Sequence, residues 1–99
     1  MPFVTAQPEL LTAAAGSLSG IGDSMSAGIS AAAAPTTGVA APAADMVSTV
    51  TAAQFAAHGQ LFQQVSAQAA AVHQQIVATL SGNSNLYALT EAANAASAG

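Results

Sequence analysis

Apolar residues recur at Leu11, Ala14, Ala15, Leu18, Ile21, Met25, Ile29 and Ala32, in steps of three and four that draw one stripe along a helix. Pro8 and Glu9 stand just ahead of that stripe. Proline fits the first helical turn, and a carboxylate there favours the positive end of the helix dipole, so the helix is predicted to open at about residue 8. It is predicted to close at about residue 34, because Pro35, Gly38 and Pro42 follow within eight positions and prolines end one helix and delay the next. Residues 35–42 are the predicted loop.

A second helical pattern is predicted over about 43–80, with Asp45 in or near its first turn and Ser81-Gly82 as its C-cap. At about 100° per residue, Val47, Val50, Leu61, Val65, Val72 and Ile76 share one side, with Phe55, Phe62, Ala69 and Leu80 just round from them. Thr49, Gln60, Gln63, Gln64 and Gln74 take the opposite side, which is expected to face water. The apolar arc is wide enough to cover the first helix and a second body besides. Two antiparallel helices alone leave such a surface uncovered, which a stable monomer seldom tolerates, so the pattern calls for another protein. Residues 83–99 are expected as a flexible tail, helical at most in part, in which Leu86, Tyr87 and Leu89 are the larger apolar groups.

Composition narrows the function classes. The 99 residues suffice for one domain, and there is no cysteine for a disulfide. There is no lysine or arginine, and the acids are Glu9, Asp23, Asp45 and Glu91, a formal net charge of -4. Nucleic-acid binding needs cations against phosphates, and adsorption to anionic lipid needs a polybasic patch. Both readings therefore lose their driving force. Gln, Ser, Thr and Asn take the place of surface charge around 28 alanines, leaving the chain poorly protected against association. The opening MPFVTAQPELL has neither the basic start nor the apolar run of a cleavable leader. No stretch reaches the roughly 18 to 20 unbroken apolar residues of a spanning helix.

No catalytic constellation emerges. His58 falls near the centre of the second helix's apolar arc and His73 at its edge, 15 positions apart and without a nearby carboxylate on that helix. Each is read as a packed or partly exposed histidine, not as a metal ligand or general base. Met25, Met46, Phe55 and Phe62 stand at helical spacing and are read as core or interface residues, not as a cofactor pocket. No cofactor and no metal are expected. Tyr87 and Glu91, four apart, would share one face of a helix and could be read together by a receptor.

Phe3-Val4, Pro8-Glu9, Ala34-Pro35-Thr36-Thr37, Pro42-Ala43-Ala44-Asp45 with Val47-Ser48, and Phe55-Ala56-Ala57-His58 together resemble the mycobacterial PE domain over nearly the whole chain. The sequence departs from the usual pattern at Ala41, where a second proline is common, and at Met46, where an acid is common. The resemblance implies an all-α fold, an antiparallel two-helix hairpin that completes a four-helix bundle with a PPE-family partner. On that reading residues 1–82 are the PE domain and 83–99 a tail carrying the YxxxD/E export signal at Tyr87 and Glu91. It also implies export by a type VII (ESX) secretion system, without a Sec leader, to the cell envelope or medium. The expected partner interface comprises Leu11, Leu18, Met25, Val47, Val50, Phe55, Leu61, Phe62, Val65, Val72 and Ile76. A self-associating surface protein with no PPE partner is the alternative, and a defined homodimer would distinguish it.

Overall fold

The computed structural model describes residues 5–99, so Phe3 and Val4 of the family pattern lie outside the described residues. Two α-helices, α1 (Pro8–Thr37) and α2 (Met46–Ala98), carry nearly all of the described chain, and no strand occurs among those residues. The described chain divides into two units, residues 23–72 and the pairing of 5–22 with 73–99.

Helix α1 begins at Pro8 with Glu9 in its first turn, as the proline and the dipole require. It does not stop at residue 34. Pro35 sits in its last turn, where Thr36 and Thr37 donate their hydroxyls back to the carbonyls of Ala32 at 2.6 Å and Ala33 at 2.7 Å. The amide of Gly38 reaches the Ala34 carbonyl at 3.0 Å. These bonds hold a final turn that the proline alone would loosen.

Helix α2 starts at Met46, three residues later than expected, because Asp45 caps it from outside. One Asp45 carboxylate oxygen accepts the Ser48 amide at 2.9 Å and the other accepts the Ser48 hydroxyl at 2.9 Å, satisfying an amide that the helix start leaves without a partner. The Ser48 amide is the main cause, and its hydroxyl the next, of a carboxyl held below the ordinary aspartate range. Nor does α2 end at Gly82. No glycine among the described residues has the positive φ of a C-cap, and the helix runs through Gly82 to Ala98.

Residues 23–72 form a helical hairpin whose two arms meet through small and polar side chains. On α2 of this unit Ala52 and Gly59 are buried and Ala56, Gln63, Ser66 and Ala70 half-buried, in alternating steps of four and three. Facing them, Ile29, Ala32, Ala33 and Thr37 of α1 are half-buried. Gln63, expected to face water, donates from Nε2 to the Ile29 carbonyl at 3.1 Å. Gly59 is a point of close approach. A Cβ there would run into the Thr36 carbonyl, with the Thr36 carbonyl carbon at 2.8 Å.

The pairing of 8–22 with 73–98 uses larger side chains on α2. Ala15 is 2% exposed and Leu11, Leu18 and Gly22 are half-buried along one face of α1. Opposite them are His73, Val77, Leu80 and Ser84. His73 Nε2 lies 2.6 Å from the Leu18 carbonyl, and a Cβ on Gly22 would stand 2.7 Å from the imidazole. Because a carbonyl can only accept, Nε2 carries the proton in this bond. In this unit α1 therefore meets larger side chains, Leu80 of the expected arc among them, whereas in the 23–72 hairpin it meets an Ala/Gly/Ser stripe on α2, with Gln63, and not that arc. Small side chains let the backbones approach closely enough for contacts a leucine would block.

Candidate functional site

The consequence of small-residue contact is that the large apolar side chains turn outward. In the 23–72 hairpin Val47, Val50, Phe55, Leu61, Phe62, Val65 and Val72 of α2 are all exposed, from 49% for Phe62 to 75% for Val47. Met25 of α1 is 59% exposed. At 100° per residue these α2 positions centre roughly 140° round the helix from the Ala52–Ala70 stripe, so one surface of α2 meets α1 and the far one has no covering element. Val50, Thr51, Gln54, Phe55 and His58 line a shallow open depression on this surface. A monomer rarely leaves contiguous apolar area of this kind in water without a use for it.

In the unit that includes the chain's second half of α2, Leu10, Ile21 and Ile76 are exposed as well. Leu11 and Leu18, assigned with Ile76 to a partner interface, are half-buried on the side of α1 that carries Ala15. Tyr87 is 51% exposed and Glu91 is exposed. They lie one turn apart on continuous helix rather than in a flexible tail, so the phenol and the carboxylate project from neighbouring positions on one surface. Pro8 is half-buried and Glu9 exposed.

The polar chemistry is spare. His58 is exposed, and His73 is committed to the Leu18 carbonyl. Among the described residues no group of three or more His, Cys, Asp or Glu could hold a metal ion, and no helix is long and apolar enough to cross a membrane.

Sequence reasoning missed a hydroxyl cluster at the start of α1. Ser84, 3% exposed, donates from Oγ to the Pro8 carbonyl at 2.6 Å. Thr12 Oγ1 lies 2.7 Å from Ser84 Oγ and 3.2 Å from the same carbonyl. Two hydroxyl protons serve three contacts, so with Ser84 giving its proton to Pro8, Thr12 gives its own to Ser84 Oγ. The signal for Ser84 was its place in the four-and-three stripe after His73, Val77 and Leu80, where a small polar residue scores poorly on any hydrophobic pattern.

This geometry defines an all-α protein built from antiparallel helix pairs, with an uncovered apolar face on its second helix. The chain belongs to the PE family, which matches residues 4–94. It is 59% identical over 98 residues to PE family protein PE13 of Mycobacterium tuberculosis (strain ATCC 25618 / H37Rv), covering 99% of both chains. It is 54% identical over 94 residues to the ubiquitin-binding protein Rv1468c and 52% identical over 97 residues to PE-PGRS family protein PE_PGRS8 of the same strain. Those alignments cover 95% and 98% of this chain but 25% and 55% of the two longer relatives.

Proposed function

We propose that this chain is a non-catalytic binding module, which pairs through the exposed surface of α2 with a PPE-family protein into a four-helix bundle. In that pairing it is exported by a type VII secretion system to the cell envelope or medium, with Tyr87 and Glu91 as the residues the machinery reads. The observation that carries the pairing is the outward row Val47, Val50, Phe55, Leu61, Phe62, Val65 and Val72. Fully burying such a side chain is worth about 1.5–3 kcal/mol, and each of these has roughly half or more of that still to gain. Seven of them are of the size needed to offset the 4–15 kcal/mol that association costs in lost freedom. With no lysine or arginine in the chain, that surface offers no cation for ion pairing, so shape and apolar burial set the choice of partner.

Co-expression tests it. Made alone, the chain is expected to aggregate or to be only partly helical, and with its PPE partner to elute as a soluble 1:1 complex by light scattering. A monodisperse, cooperatively melting monomer, or a defined homodimer that ignores the partner, would overturn the reading.

A further inference from the structure

We infer that Ser84 is the positioning residue for the Tyr87–Glu91 surface. The inference rests on the reading of that pair as a recognition signal and goes beyond it. The run Ser81-Gly82-Asn83-Ser84-Asn85 is made wholly of residues with poor helix propensity, Gly82 poorest among them. By local preference it is a place for a helix to end. Instead α2 passes straight through it, and at its fourth position Ser84 is buried against the first turn of α1, bonded to the Pro8 carbonyl and to Thr12. Tyr87 follows three residues later and Glu91 four after that.

The clip fixes two things at once. It keeps the weak run helical, and it sets the rotation of α2 relative to the start of α1 in this unit, because a hydroxyl at 2.6 Å tolerates little turning. A helix that frays at Gly82 would still contain the tyrosine and the glutamate, but their side chains would no longer project from one face. A receptor reading both groups together would then meet them in register only part of the time.

Ser84→Ala is a clean test, because alanine favours the helix and Thr12 keeps a 3.2 Å path to the Pro8 carbonyl, so no buried acceptor is orphaned. In the full chain co-purified with its partner, amides 85–91 are expected to exchange with solvent roughly threefold faster in S84A, the loss of a hydrogen bond of ordinary net strength being offset in part by alanine's better helix propensity. Secretion from the native host should fall by a similar factor while the chain still pairs. Gly82→Ala, whose new Cβ would meet nothing within 4 Å, should restore both exchange protection and secretion in the S84A background by stiffening the same run. Unchanged exchange in S84A would overturn the positioning role. So would normal secretion of S84A where Tyr87→Ala is retained in the cell, and that result leaves the signal reading standing. A lower melting temperature of the whole complex without local change at 85–91, or failure of Gly82→Ala to rescue, marks a merely structural serine and also overturns it. Normal secretion of Tyr87→Ala removes the signal reading and the inference with it.

Discussion

Replacing Gly59 with alanine puts a single methyl group into a tight contact between the arms of the 23–72 hairpin. Helix propensity alone favours the change by about 1 kcal/mol. The new Cβ, however, would collide with the carbonyl of Thr36, and the carbonyl carbon would lie 2.8 Å away. That obstacle is backbone, held in the last turn of α1 by the Thr36 and Thr37 hydroxyls, and cannot swing aside as a side-chain tip can. Overpacking of this kind costs about 1–3 kcal/mol, and a rigid obstacle puts this case in the upper part of that range, leaving a net loss of about 1–2 kcal/mol. For a domain of this size each kcal/mol moves the melting temperature by roughly 4–8 °C. Circular dichroism melts of the paired chain, in which the larger complex reduces that shift, should therefore show Gly59→Ala lower by several degrees. Gly16→Ala is the matched control: a Cβ there meets nothing within 4 Å, so the same substitution should raise the melting temperature by several degrees. If Gly59→Ala melts at or above the parent, the arms are not in the close contact that the small-residue stripe provides, and the packing argument fails.

Three further outcomes are expected. Phe62→Asp, on the exposed row of α2, should leave the contacts with α1 untouched yet abolish co-purification with the PPE partner, since burying an unpaired carboxylate costs several kcal/mol; intact pairing would place the interface on another surface. Tyr87→Ala and Glu91→Ala should each preserve the complex and its melting temperature while the protein accumulates in the cell lysate and not in the culture filtrate; loss of the complex in either would show that the pair belongs to the fold. Asp45, whose folded carboxyl is held below its ordinary value by the Ser48 amide and then the Ser48 hydroxyl, should contribute stability that is full above the unfolded aspartate value and is lost as pH falls through the lowered folded value. The effect is small at an exposed site, and melts of Asp45→Asn against the parent across that acid range should show the parent's advantage disappear; an advantage that persists at the lowest pH would remove the cap's electrostatic role.

The sequence by itself determined that there are two helices, that α1 opens at Pro8, and that α2 carries more large apolar side chains than its own neighbour can cover. These follow from spacing, from proline and dipole chemistry at helix starts, and from the absence of lysine, arginine and cysteine, all of which are local or compositional. The residues quoted for the family pattern within 4–94 were likewise legible, because a family is recognised from the order of residues and not from their contacts. Tertiary structure decided which face of α2 meets α1. Hydrophobicity pointed to the valine and phenylalanine arc, but close approach of two backbones is worth most where side chains are smallest, so Ala52, Gly59 and Gln63 turned inward and Phe55 and Phe62 outward. It also decided where the helices end. Pro35 and Gly82 are stop signals by local preference, and each is overridden by hydroxyls that no pattern of apolar residues reveals: Thr36 and Thr37 bonding back along α1, and Ser84 reaching across from α2 to the carbonyl of Pro8.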